Sequence, residues 1–217
     1  MIDRFTVSYA PSAGIYSVCQ QRKAPSAGPA LLMGVDSPGA NRIRQEIRAV
    51  AATLKDPDVR LGREATSKVL REVGPTSRLI HIATHGIFRR DNPLFSSVRL
   101  ADSYLTMYDL YQLNLPVSLL TLSGCGTGLG VVAAGDELLG LMRGVLLAGA
   151  QSLIATLWNV DDRSTARFMS LFYTRLQSST APVAALQHAM RELRRQLPHP
   201  FYWAPFVLVG KSTVGNN

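Results

Sequence analysis

Short unbroken apolar runs alternate with amphipathic stretches along the chain. The runs at 30–35, 78–86 and 152–158, the run that opens at Leu119, and a last one at 206–209 have the length and branching of buried strands. Between them lie helical spacings. Ile43, Ile47, Val50 and Leu54 share one face of 42–54; Ala65, Val69 and Val73 do the same in 64–73, which ends at Gly74-Pro75. Residues 136–148 are apolar nearly all round, with Gly140 and Gly144 allowing close packing against the sheet and Gly149 as the C-terminal cap. Asp161-Asp162-Arg163-Ser164 opens a helix that runs to about Leu176. A last helix starts at Pro182, with Val183, Leu186, Met190, Leu193 and Leu197 in three-four alternation, and Pro198-His199-Pro200 stops it. Smaller pieces complete the pattern: a strand at 59–61, a hairpin of 98–100 and 103–105 around Ala101-Asp102, and a helix after Thr106. Residues 4–18 read as short β-like pieces, 20–29 as a loop, 88–97 as an irregular connection and 211–217 as a frayed tail.

Strands alternating with helices predict an α/β fold: a mostly parallel central sheet with helices on both faces. There is no internal repeat and no linker. The expectation is one domain over 1–217, with 1–29 a β-like N-terminal extension and 211–217 a flexible tail.

Composition narrows the classes. With 47% hydrophobic and 18% charged residues in 217, the chain is globular. A formal net charge of +8 suits an acidic partner, but no basic motif interleaved with aromatic residues accompanies it, so nucleic acid is not expected to bind directly. Met1-Ile2-Asp3-Arg4 does not open a signal peptide, and 131–158 is broken by Asp136, Glu137 and Arg143, so no membrane partner is expected. Two cysteines make no disulfide framework; a reducing cytoplasm is the expected setting.

Candidate chemistry gathers where two apolar runs end. One reads His81-Ile82-Ala83-Thr84-His85-Gly86; the other reads Leu122-Ser123-Gly124-Cys125-Gly126-Thr127-Gly128-Leu129-Gly130. If both are neighbouring parallel strands, His85 and Cys125, forty residues apart, leave the sheet at one edge. A cysteine beside an imidazole has the means to form a thiolate, and His85 is placed to activate it and to protonate a leaving amine. The backbone N–H groups of Gly86 and Cys125, both in glycine-containing turns, are the natural oxyanion donors. Cys19 has no such context and reads as structural.

Other chemistries fail on spacing. His81 and His85 invite a zinc reading, but Ile82 stands where His-Glu-x-x-His needs Glu; His81 reads as a hydrogen-bonded core histidine, and no metal or cofactor is expected. Glycines at 124, 126, 128 and 130 fit neither G-x-G-x-x-G nor a phosphate loop, which disfavours a nucleotide-binding domain. A nucleophile elbow needs glycine at 123 and 127, which are Ser123 and Thr127.

These two motifs, with Tyr9-Ala10-Pro11-Ser12, Leu157-Trp158-Asn159-Val160-Asp161-Asp162 and 199–206, give a chain that resembles the CHAT domain, a bacterial caspase-like domain of the caspase and separase superfamily often found with tetratricopeptide repeats. The resemblance implies a caspase-like three-layer α/β/α sandwich and a cysteine endopeptidase with a His85–Cys125 dyad, needing no cofactor and acting on protein or peptide. It implies conditional activation in signalling or defence, with a tetratricopeptide-repeat protein or domain as regulatory partner. The chain departs from the family at Gly124 and Gly126, where many members carry alanine and an acid. Arginine-specific relatives place an aspartate in the pocket for the side chain before the scissile bond. Its candidates here are Ser123, two residues before the cysteine, and Asp161 or Asp162 after Leu157-Trp158. Those aspartates read equally as caps of the following helix. The alternative reading of the whole chain is a non-catalytic scaffold that keeps the fold; the presence of both His85 and Cys125 argues for the enzyme.

Overall fold

The computed structural model describes residues 1–25, 27–35, 41–87, 96–123, 136–158, 161–178 and 181–213. A six-stranded sheet, ordered β2-β1-β3-β7-β8-β9, forms the middle layer. Its strands are β1 (Ala30–Gly34), β2 (Asp58–Leu61), β3 (Leu79–Ala83), β7 (Leu119–Ser123), β8 (Ser152–Thr156) and β9 (Phe206–Gly210). The first five in spatial order are parallel, and β9 runs antiparallel to β8. The chain after β8 forms two consecutive helices, α6 (Asp162–Gln177) and α7 (Pro182–Gln196), packed on each other. An α-hairpin of this kind returns the chain to the edge it left, so the next strand must run the other way.

The period of two along each strand sorts its side chains into two cores. Leu31, Met33, Ile80, Ile82, Leu120 and Leu153 join a layer with α1 (Ala13–Gln21), α3 (Ser67–Val73), α4 (Met107–Tyr111) and α5 (Asp136–Leu147). Leu32, Leu79, Ala83, Leu119 and Ile154 join the opposite layer with α2 (Asn41–Ala51), α6 and α7. Phe206 stacks on Phe168 with ring centroids 3.5 Å apart, tying β9 to α6. The three-layer α/β/α sandwich with a mostly parallel central sheet expected from the sequence is the architecture observed.

A second, three-stranded antiparallel sheet is made of β4 (Gly86–Ile87), β5 (Ser97–Arg99) and β6 (Tyr104–Thr106). The expected hairpin is β5–β6, and Thr106 caps α4 in a full capping box with Asp109.

Five expectations are corrected. The β-like extension is α1, a helix started by the Ser12 hydroxyl, which accepts from the Ile15 N–H at 3.2 Å. Branched and aromatic residues there suggested strand, but the cap and the burial of Cys19 and Ile15 against the first core decide for helix. Gly144 receives α4, not the sheet: a Cβ there would come within 3.0 Å of Leu110. The run 78–86 is not one strand, because the backbone leaves the main sheet after Ala83 and enters the small one at Gly86. Past His199 the chain makes one more turn, α8 (Pro200–Trp203), capped by the His199 ring, which accepts from the Phe201 N–H. The start of the tail is held: the Lys211 N–H donates to Gln151 O at 2.9 Å, and the Ser152 hydroxyl to Lys211 O at 2.6 Å.

Candidate active site

The site is built at the C-terminal edge of the parallel strands, the usual place for ligands in open α/β sheets. Gly34, Ala83 and Ser123 lie side by side as the last residues of β1, β3 and β7. All three are small, and α2 presses close over this end of the sheet. A Cβ on Gly34 would lie 2.8 Å from Leu61 and 2.9 Å from Ile47. The backbone is stitched across: the Val35 N–H donates to Ala83 O at 3.0 Å, and the Thr84 N–H donates to Ser123 O at 2.9 Å.

His85 is the next residue, at the step between the two sheets. Its carbonyl accepts from the Arg99 N–H at 3.0 Å, and the neighbouring Thr84 hydroxyl donates to Arg99 O at 2.6 Å. The main sheet holds the residue before His85 and the small sheet holds the residue after it, since Gly86 pairs with Val98 of β5. The ring is thus carried by a backbone fixed from both sides. It is half-buried, and its Nδ1 is buried without a hydrogen-bond partner among the described residues. A buried unpaired ring nitrogen costs about 1–3 kcal/mol, so its retention calls for a function.

Each residue of β3 stands opposite the one forty positions later in β7, as far as Ala83 and Ser123. His85 and Cys125 keep the same interval. The expected neighbourhood of the two strands is therefore observed, while Cys125 itself lies outside the described residues. Gly86 is buried at the start of β4.

The pocket candidates separate. Ser123 is buried at 4% exposure as the last residue of β7. Asp161 has the capping role: its carboxylate accepts from the Ser164 N–H at 2.9 Å and lies 3.7 Å from the Arg42 guanidinium. Asp162 is exposed in the first turn of α6. Trp158 donates its indole N–H to Phe201 O, and Trp203 donates to Pro198 O; both act in packing.

His81, four residues before His85, is a core histidine as expected. It is fully buried between Glu46 and Tyr173, each 3.1 Å from one ring nitrogen. The Tyr173 hydroxyl reaches on to Thr121 at 2.9 Å. Sequence spacing gave no sign of Glu46, Tyr173 or Thr121 as partners, because they come from α2, α6 and β7. Among the described residues no cluster of three or more metal-binding side chains occurs, and no helix is long and apolar enough to cross a membrane.

Residues 1–211 match the family described as CHAT domain, and the chain belongs to that family. The curated relatives it matches include tetratricopeptide repeat protein 28 of Mus musculus, 35% identical over 120 residues, or 54% of this chain and 5% of that protein. The Homo sapiens protein of the same name is 33% identical over a stretch of the same length. The chain spans about a twentieth of these relatives' length. Among solved structures, the Saccharomyces cerevisiae separase–securin complex superposes with a TM-score of 0.66 at 14% identity, over 95% of this chain and 14% of that one. The Arg-specific cysteine proteinase gingipain R aligns with a TM-score of 0.59 at 13% identity, over 89% of this chain and 49% of that one. These likenesses show the fold alone: a mixed α/β sandwich with a central sheet and flanking helices, like those of the two solved structures.

Proposed function

We propose that this CHAT domain is a cysteine endopeptidase, with Cys125 as nucleophile and His85 as its acid–base partner. The observation that carries the reading is the buried, unpartnered Nδ1 of His85 at a sheet edge where β3 and β7 run in parallel register. In this reading the Cys125 thiol gives its proton to His85, and the sulfur attacks the scissile carbonyl. The N–H groups of Gly86 and Cys125 stabilise the oxyanion. His85 then protonates the leaving amine, and water, deprotonated by the same ring, hydrolyses the thioester. Peptide and water are consumed, two shorter peptides form, and no cofactor is used.

The pocket beside the dyad is read as Ser123 at its base and the acidic start of α6 at its wall. Asp161 is engaged with Ser164 and Arg42, which leaves Asp162 as the better candidate to attract a basic side chain before the scissile bond. The match to tetratricopeptide repeat protein 28 supports a regulatory partner or fused segment of the tetratricopeptide-repeat kind. A thiolate enzyme without disulfides suits a reducing compartment such as the cytoplasm.

The test is cleavage of a peptide library by the wild-type chain, Cys125→Ala and His85→Ala, with products sequenced by mass spectrometry. Cleavage abolished in both variants and following Arg or Lys supports the whole reading. Cleavage that survives in Cys125→Ala refutes the nucleophile. Silence of every form, repeated with a tetratricopeptide-repeat partner present, favours a scaffold.

A further inference from the structure

Beneath the helical layer that covers β3 and β7, four buried polar side chains from four elements meet. Glu46 of α2 lies 3.1 Å from His81 Nε2, His81 Nδ1 lies 3.1 Å from the Tyr173 hydroxyl, and that hydroxyl lies 2.9 Å from Thr121 Oγ1. His81, Thr121 and Tyr173 have no exposure, and Glu46 has 6%. His81 and Thr121 stand directly opposite in the β3–β7 register. They lie four residues before His85 and Cys125 respectively.

The donors order themselves. A carboxylate only accepts, so Nε2–H of His81 donates to Glu46, and in the neutral ring Nδ1 then accepts the Tyr173 hydroxyl hydrogen. The Tyr173 oxygen then accepts from Thr121. Burial pushes the Tyr173 phenol far above its ordinary value; the Thr121 hydrogen bond and Arg78 oppose this, and Glu46 adds to it. Tyr173 therefore keeps the proton that it donates.

We propose that Tyr173 is a positioning residue for the His85–Cys125 dyad, holding β3 and β7 at one lateral setting through His81 and Thr121; this rests on the endopeptidase reading above. Apolar packing, including the Phe168–Phe206 stack, holds α6 on the sheet but is not directional, whereas hydrogen bonds are. A hydroxyl that serves a histidine on one strand and a threonine on the next has one position. That position also sets α6, whose first turn carries Asp161 and Asp162. The chain of bonds is fully satisfied, which is the condition under which a buried polar network specifies one arrangement.

The test reads the dyad without a peptide substrate. Iodoacetamide alkylation of Cys125 is followed by peptide mass mapping, which counts Cys19 separately, from pH 4 to pH 10 in the wild-type chain, Tyr173→Phe and His85→Ala. In the wild type, alkylation persists below the ordinary thiol range and depends on His85. In Tyr173→Phe this low-pH limb falls about tenfold, while the melting transition stays cooperative. A Tyr173→Phe profile that overlays the wild type overturns the positioning role, whatever its melting temperature. A His85→Ala profile that overlays the wild type overturns the dyad, and the positioning role with it. If Tyr173→Phe does not fold, Thr121→Val removes one of the two bonds at constant shape. Its low-pH limb is then expected to fall by a smaller factor, and no change in a folded Thr121→Val chain rejects the proposal.

Discussion

His81 and His85 lie four residues apart and teach opposite lessons. His81 sits inside β3 with both ring nitrogens paired and no exposure. His85 sits just past the end of the same strand, half-buried, with Nδ1 unpaired among the described residues. The difference lies in what surrounds each residue. The middle of a central strand lies under two helices, so its side chain must be satisfied there or not be polar. Past the end of the strand the side chain leaves the two-helix cover, and His85 Nδ1 is buried there with no partner among the described residues. Satisfaction therefore separates the structural histidine from the one proposed to be catalytic more sharply than burial does.

The largest way to break this comparison is His85→Ala. Loss of an acid–base group is expected to lower cleavage by about 10²–10⁴-fold, with stability changed by less than about 1 kcal/mol because Nδ1 has no partner to lose among the described residues. Peptide cleavage and denaturant melts on the same preparation check both halves. The mirror experiment is His81→Ala. It leaves the Glu46 carboxylate and the Tyr173 hydroxyl buried without their partner, and a loss of about 3–5 kcal/mol is expected. Equal stability losses from the two substitutions would erase the distinction.

Much of this was legible in the sequence because the decisive signals were local. The apolar runs named every strand of the main sheet, and Asp161, Thr106 and Pro182 announced the helices they begin. The strand end at Ser123 was readable because apolar residues stop there and glycine follows, whereas the end of β3 at Ala83 was not, because Thr84-His85-Gly86 continues the same pattern into the small sheet. The Glu46–His81–Tyr173–Thr121 network was not legible, since it joins residues up to 127 positions apart in sequence and no spacing rule connects α2 to α6. The antiparallel β9 was hidden for the same reason: its direction follows from how α6 and α7 pack. α1 was misread because Ser12 as a cap outweighs the strand preference of Ile15, Tyr16 and Val18.

The same rule sharpens the pocket. Asp161 is at the edge, yet its carboxylate is used, by Ser164 and by Arg42. Asp161→Ala is expected to cost about 1 kcal/mol as a lost cap, and Asp161→Asn much less, because the amide oxygen still caps. Neither is expected to move the residue preferred before the scissile bond, whereas Asp162→Asn is expected to weaken a preference for Arg and Lys. Product sequencing separates these outcomes. A preference lost in Asp161→Asn would mean that a satisfied carboxylate still reads substrate.

The smallest effect lies away from the edge, at Asp102, where satisfaction has a pH signature. Burial raises this carboxyl, but the Ser67 backbone N–H and hydroxyl, each 2.8 Å away, overcome it and hold its pKa below the ordinary carboxylate value. A lowered pKa in the folded chain means that the ionised form is favoured by folding. The stabilisation is then complete above the ordinary carboxylate range and is lost as pH falls through the lowered value. Asp102 lies between the small sheet and α3, so this contribution fastens the sheet that His85 leads into. Because the group is mostly exposed, the effect is a few tenths of a kcal/mol. Melting temperatures of the wild type and Asp102→Asn, taken at neutral pH and at about pH 3, are expected to differ more at neutral pH than in acid. The opposite ordering would mean that Asp102 carries its proton in the folded chain, and that the two bonds from Ser67 do not favour the carboxylate.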